Sequence, residues 1–187
     1  MFKKFTNFVR SCLILSEEEK ARACADILYD DIVILRCVKL DGSAQVPTKA
    51  HTGLFEDAAY DLYAPAKEYN THILQPTTQQ MIGTKLSFII PNGYWLKLRE
   101  RSGLATKGIH VLGGVIDCGY TGEVKVILYN SSKEPVSIPT DKAICQFTVE
   151  RLSKSCIEEL TSSEFEELAA KRQRGEKGFG SSDKSNK

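Results

Sequence analysis

An all-β sandwich or barrel is the fold class this sequence predicts. From Ile32 to Leu152, short β-branched and apolar runs follow one another. Turn residues punctuate them at Asp41-Gly42-Ser43, Pro91-Asn92-Gly93 and Ser131-Ser132-Lys133-Glu134-Pro135. The runs Tyr94–Arg99 and Glu123–Asn130 alternate with the period of a half-buried strand. A length of 187 residues suggests one domain plus extensions, laid out as an N-terminal helical or targeting segment (1–31), a β domain (32–160) and a short helix with a flexible tail (161–187). The net charge of +1 argues against a nucleic-acid binder driven by a strong overall positive field.

Residues 1–31 read unlike the rest. Phe2, Phe5, Phe8, Val9, Cys12 and Leu13 recur at helical spacing, Lys3, Lys4, Asn7, Arg10 and Ser11 fill the other positions, and no acidic residue precedes Glu17. A cationic amphipathic start suits an organelle transit peptide, a membrane-surface helix, or an extra helix that docks on the domain or a neighbouring subunit. Ser16 and Glu19 form a capping box for a second helix carrying Ala21, Cys24, Ala25 and Leu28 on one face.

Ile32–Leu40 predicts the first strand, and Val46–Lys49 leads from the turn at 41–43 towards Asp57–Ala64. Lys85–Ile90 predicts a strand closed at Pro91-Asn92-Gly93. In Tyr94–Arg99, Leu96 and Leu98 face one way while Lys97 and Arg99 face the other. Ser102–Gly108 is at most a short helix or turn. His110–Val124 reads as β runs joined by a glycine-containing turn, a hairpin. In the next strand Val124, Val126 and Leu128 share a face, and Val136–Ile138 and Ile144–Leu152 complete the β part. Thr161–Lys171, with Phe165 and Leu168 as its apolar positions, predicts a short exposed helix. Arg172–Lys187 holds Gly175, Gly178 and Gly180 among Ser and Lys residues and predicts a flexible tail.

Of the six cysteines, Cys12, Cys24, Cys37, Cys118, Cys145 and Cys156, none pair at zinc-site spacing, so they read as reduced thiols of a cytosolic-type compartment. A cytoplasmic or nuclear location is expected unless residues 1–30 address the chain to an organelle. No run is long enough to span a membrane, so no stable insertion is expected. Asn130-Ser131-Ser132 matches a glycosylation sequon, which has no meaning outside the secretory route.

Asp117 sits at the tip of the 110–124 hairpin. A carboxylate is costly to bury unpaired, so it faces solvent or a site; taken alone, it reads as a turn Asp bonded to nearby backbone. Arg101, Ser102 and Gly103 put a planar charge, a hydroxyl and a closely approachable backbone side by side, a combination suited to phosphate oxygens.

Tyr60-Asp61-Leu62-Tyr63-Ala64, Arg101-Ser102-Gly103-Leu104-Ala105, Gly114-Val115-Ile116-Asp117-Cys118-Gly119-Tyr120-Thr121-Gly122, Ile144-Cys145-Gln146 and Arg174-Gly175-Glu176-Lys177-Gly178-Phe179-Gly180-Ser181-Ser182 stand in this order. In that order the chain resembles the homotrimeric deoxyuridine triphosphatases (dUTPases) over about Ile32–Ser182. The resemblance implies a distorted β-barrel or jelly roll. It implies a hydrolase that converts dUTP to dUMP and pyrophosphate with Mg2+, limiting uracil in DNA and supplying dUMP for thymidylate synthesis. It implies that Arg101, Ser102 and Gly103 contact the triphosphate, that Gln146 adds a polar contact near it, and that Asp61 serves the magnesium ion through bound water. Backbone around Gly114 would pair with the uracil edge, and Tyr120 would pack under the deoxyribose and exclude a 2′-hydroxyl. Asp117 would bind the 3′-hydroxyl or orient the attacking water. From the tail, Arg174 would grip the γ-phosphate, Phe179 stack on the base, Gly180 let the chain bend, and Ser181 and Ser182 offer hydroxyls. The sites would be shared in a homotrimer and closed by the tail as a lid.

The chain departs from the family pattern at Ala59 for a usual Gly, Glu100 for Pro, Thr121 for a common Arg, and Ala143 for the Arg of the fourth segment. Other readings are a trimeric nucleotide-binding or regulatory protein without turnover and a relative of the similar dCTP deaminases. The Arg174–Ser182 tail favours the pyrophosphatase.

Overall fold

The computed structural model describes residues 33–53, 56–65 and 71–172. Two compact units part between Leu152 and Ser153. The first unit is built of strands β1 (Arg36–Lys39), β2 (Tyr60–Tyr63), β3 (Thr71–Leu74), β4 (Gln79–Gly83), β5 (Leu86–Ile89), β6 (Tyr94–Arg99), β7 (Ile109–Leu112), β8 (Val115–Ile116), β9 (Lys125–Asn130), β10 (Val136–Pro139) and β11 (Ala143–Arg151). Among the described residues of this unit, the short helix α1 (Ser102–Ala105) interrupts them. Among the described residues every strand pairing is antiparallel, in sheets ordered β1-β5, β10-β3, β2-β11-β6-β8 and β4-β9-β7.

Alternation chooses the buried faces. In β9, Val126, Leu128 and Asn130 point inward while Lys125, Ile127 and Tyr129 do not; in β6, Leu96 and Leu98 point inward. With Leu62, Leu74, Leu86, Phe88, Ile109, Val124, Ile138, Ile144 and Phe147 they form one core. Phe147 anchors it, stacked on Tyr60 and edge-on to Phe88.

The expected strand at Ile32–Leu40 is shorter, Arg36–Lys39, and all four of its residues are exposed. It runs along β5 only, so its apolar residues cover no core. β3 and β4 lie within 65–84, a stretch without clean alternation; they form by pairing with β10 and β9, distant in sequence. The expected hairpin over 110–124 does not form as a pair of neighbouring runs, because β8 pairs with neither β7 nor β9. β7 pairs with β9, whereas β8 leaves for β6. The change of sheet falls at Gly113, with φ +60, and Gly114, where an added Cβ would stand 2.8 Å from the Leu98 carbonyl oxygen.

In the second unit α2 (Ser162–Ala170) is capped by Thr161 and Glu164 in a capping box. None of its residues is buried, and Phe165 and Leu168 are exposed. The expected helices of 1–31, with the Ser16–Glu19 box, and the tail from residue 173 lie outside the described residues. Among the described residues no helix is long and apolar enough to cross a membrane.

Asn130 shows why the sequon at that position is not a surface feature. Its side chain is fully buried; Nδ2 donates to the carbonyls of Leu74 and Glu134, and Oδ1 accepts from the Ser132 N–H and hydroxyl. These bonds join β3, β9 and the turn before β10. Asn130→Ala would strip partners from buried polar groups, and a loss of about 1–3 kcal/mol is expected in urea unfolding.

Candidate active site

β11 assembles one half of the site. Gln146 is opposite Asp61 of β2 on one side and Arg99 of β6 on the other, so these side chains share a face of the sheet. Leu62, Cys145 and Phe147 take the opposite, buried face. Asp61 is held further by main-chain bonds with Thr48, N–H to carbonyl at 2.7 and 3.3 Å. Beyond β6 the chain turns at Arg101, an extended residue capping α1, whose carbonyl accepts the N–H groups of Leu104 and Ala105 at 2.9 Å. Gln146 braces that turn from below, with Nε2 donating to the Glu100 carbonyl at 2.7 Å.

Arg101 and Asp61 meet side-on, Nε to Oδ1 at 2.9 Å and Nη2 to Oδ2 at 3.2 Å. Their side chains are 38% and 21% exposed. Water screens a pair this open, so it contributes about 1 kcal/mol or less and serves chiefly to orient the guanidinium. Among the described residues nothing bonds Nη1, which leaves that edge for a second anion. Ser102 and Gly103 form the first turn of α1 and are exposed. A Cβ on Gly103 would meet nothing within 4 Å, so the packing of this chain does not require glycine there.

The other half lies on the loop between β8 and β9. Residues 117–120 form a turn in which the Tyr120 N–H donates to the Asp117 carbonyl at 3.0 Å. The Asp117 side chain is exposed, and its carboxylate has no hydrogen-bond or ion-pair partner among the described residues. The reading of Asp117 as a turn Asp bonded to local backbone therefore does not hold for its carboxylate. Tyr120 is 44% exposed, and its hydroxyl donates to the Glu123 carbonyl at 2.8 Å. Gly114 gives its carbonyl to the Leu98 N–H at 2.8 Å, so that oxygen serves the sheet.

Asp61, Arg101, Ser102, Gly103 and Gln146 thus come together, and Asp117 and Tyr120 share one turn, whereas Gly114 bonds to Leu98 of β6; no hydrogen bond or ion pair joins the Asp117–Tyr120 turn to the first group among the described residues. Arg174, Phe179, Gly180, Ser181 and Ser182 lie outside the described residues.

A family model described as dUTPase matches residues 44–183. The chain belongs to the dUTPase family. It is 35% identical to the deoxyuridine 5'-triphosphate nucleotidohydrolase of Debaryomyces hansenii, over 80% of this chain and 88% of that one. It is 39% identical to the Candida albicans protein of the same name, over 75% and 82% of the chains. With the monkeypox virus protein of that name it shares 35% identity over 79% and 89%. The fold of Staphylococcus bacteriophage 80alpha dUTPase with dUpNHpp matches with a TM-score of 0.63 at 25% identity, covering 80% of this chain and 98% of that one. Native EIAV dUTPase shares the fold at 21% identity, with a TM-score of 0.56 over 69% and 98% of the chains. The architecture is accordingly the dUTPase jelly roll.

Among the described residues of this dUTPase, no cluster of three or more His, Cys, Asp or Glu could hold a metal by itself. The donor set offered is one mostly buried carboxylate, Asp61, on the face that carries Arg101. That suits a hard ion that keeps most of its water and takes phosphate oxygens, as Mg2+ does.

The sequence marks Glu100 only as a departure from the family pattern and does not reveal that it ties the Arg101 turn in place. Its Oε1 accepts the Val111 N–H at 3.0 Å, tying the Arg101 turn to β7. That bond first, and then its own N–H, hold the Glu100 carboxyl below the usual carboxylate range against the cost of desolvation. The unfolded chain consequently binds more protons as the solution is acidified. The contribution is complete above about pH 4.3, the ordinary Glu value, and is lost as pH falls through the lower folded value. Glu100→Gln removes this titration. Thermal unfolding from roughly pH 3 to 6 should show a shallower acid limb in the variant than in the wild type.

Proposed function

We infer that this chain hydrolyses dUTP to dUMP and pyrophosphate. The observation that carries the mechanism is the Asp117 carboxylate, exposed at a turn and without a partner among the described residues. It is the acceptor for a water that attacks the α-phosphorus. A bond forms from the water oxygen to that phosphorus, the bond to the bridging oxygen breaks, pyrophosphate leaves, and the water's proton passes to Asp117.

Each remaining residue holds the substrate. The Nη1 edge of Arg101 and the hydroxyl of Ser102 take phosphate oxygens, and Gly103 keeps the space beside them open. Gln146 keeps the Arg101 turn in place through the Glu100 carbonyl. Bound Mg2+, held by Asp61 through water, would neutralise charge on the triphosphate. Gly114 and its neighbours present backbone to the uracil edge, and Tyr120 lies against the deoxyribose. Arg174 takes the γ-phosphate, Phe179 covers the base, and Gly180, Ser181 and Ser182 close over the phosphates. Residues 161–187 act as the unit that carries this lid. The Asp117–Tyr120 turn makes no hydrogen bond or ion pair with Asp61, Arg101 or Gln146 among the described residues, which fits sites shared between the subunits of a homotrimer, so a separated monomer would be inactive. The compartment proposed is the cytoplasm or nucleus.

Pyrophosphate release with Mg2+ from dUTP, dCTP, dTTP and UTP, beside Asp117→Asn, tests the mechanism. Release from dUTP alone is expected, with kcat in the variant lower by about 100-fold or more. Undiminished release by the variant would overturn the role of Asp117, and ammonia release from dCTP would instead indicate a deaminase.

A further inference from the structure

The turn that carries Tyr120 is fastened from behind by the corner between β4 and β5. Val124 is clamped through its main chain: its N–H donates to the Leu86 carbonyl at 2.8 Å, and its own carbonyl accepts the Thr84 N–H at 3.1 Å and hydroxyl at 2.8 Å. Ser87 donates its hydroxyl to the Thr121 carbonyl at 2.7 Å. Between these points the Glu123 side chain, only 18% exposed, turns back to the corner. Its Oε1 accepts the Lys85 N–H at 3.0 Å and stands 3.6 Å from Lys85 Nζ.

The corner is shaped for that carboxylate. A Cβ on Gly83 would overlap Glu123 Oε1, so glycine leaves it the room. Lys85 holds φ +55, a left-handed backbone that a side chain disfavours, and its N–H is aimed at the carboxylate. On the far side of the same residue, the Glu123 carbonyl receives the Tyr120 hydroxyl. The ring is pressed so close to the turn that a Cβ on Gly122 would stand 2.6 Å from Oη.

We propose that Glu123 is a positioning residue for sugar selectivity: anchored on Lys85, it fixes the carbonyl that holds the Tyr120 hydroxyl, and so fixes the ring that excludes a 2′-hydroxyl. This rests on the reading that Tyr120 lies against the deoxyribose. Exclusion by lack of room depends on shifts of tenths of an ångström, so a ring with a loosened anchor admits the ribose. The site then loses discrimination before it loses chemistry, because the main-chain bond that closes the 117–120 turn does not involve Glu123.

The test compares kcat and KM for dUTP and UTP, with thermal unfolding, in the wild type, E123A, E123Q, G83A and Y120F. In E123A the dUTP/UTP ratio of kcat/KM should fall by about tenfold or more, mainly through KM, with kcat for dUTP within a few-fold of the wild type. E123Q keeps an oxygen for the Lys85 N–H and should retain the ratio. G83A displaces the carboxylate and should behave like E123A, and E123A combined with Y120F should be little worse than Y120F alone. An unchanged ratio in folded E123A and G83A, beside a wild type that discriminates, overturns the proposal alone. So does a fall in kcat that merely follows lost thermal stability. A wild type that hydrolyses UTP as well as dUTP overturns the reading of Tyr120 and the proposal with it.

Discussion

β11 is bonded along both edges, and the site hangs on that pairing. A strand between two neighbours must satisfy its N–H and carbonyl groups on each side, and each buried group left alone costs about 1–3 kcal/mol. Pairing with β2 and β6 fixes Gln146 opposite both Asp61 and Arg99. Register does the rest. The irregularity between Ala143 and Cys145 brings Cys145 and Phe147 into the core and Gln146 to the other face. A slip by one residue would exchange those faces, which the burial of Phe147 and Leu62 forbids. The meeting of Arg101 and Asp61 is therefore a consequence of core packing.

The departures from the family pattern have physical accounts in this frame. At 100 a proline would lack a side-chain acceptor; Glu100 supplies one and ties the Arg101 turn to Val111. Its carbonyl, which any residue would offer, is the part that Gln146 uses. Ala143 is 3% exposed, opposite Tyr63. A charged side chain does not fit such a position unpaired, so the loss of an Arg there goes with local burial. Thr121 contributes its carbonyl to Ser87, a contact indifferent to the side chain. Nothing in the structure explains Ala59.

What was legible in the sequence is what a local pattern encodes. β6 and β9 alternate cleanly because one face of each is in the core, and the turn at Pro91-Asn92-Gly93 closes as read, with Gly93 at φ +85 and the Tyr94 N–H on the Pro91 carbonyl. β3 and β4 were not legible. They owe their form to β10 and β9, and their outward Ile73 and Met81 blur the alternation. The residues of the candidate site could be named from motifs, but their partners could not. Lys85 and Glu123 are 38 positions apart, and no local pattern announces that a left-handed lysine will meet a carboxylate. Likewise Ile32–Leu40 is apolar enough for a core strand, yet β1 lies at a two-stranded edge where its side chains are exposed.

The proposed division of labour between Asp61 and Asp117 follows from what each carboxylate already touches. Asp61 gives an oxygen to each of two Arg101 donors, and its main chain is fixed by Thr48. Lone pairs committed in this way orient a cation and do not accept a proton from water. Asp117 has its main chain committed to the turn and its carboxylate to nothing among the described residues. A group that must accept a proton during the reaction needs that combination: a fixed backbone, and an oxygen without a resident donor to displace. A covalent route through Cys145 fails on burial. Cys145, next to Gln146 in sequence, is fully buried, and desolvation first, then the nearby Asp61 carboxylate, push its thiol pKa far up. It therefore supplies no thiolate. The proposed direct hydrolysis needs no thiolate, only the exposed Asp117 carboxylate and a water.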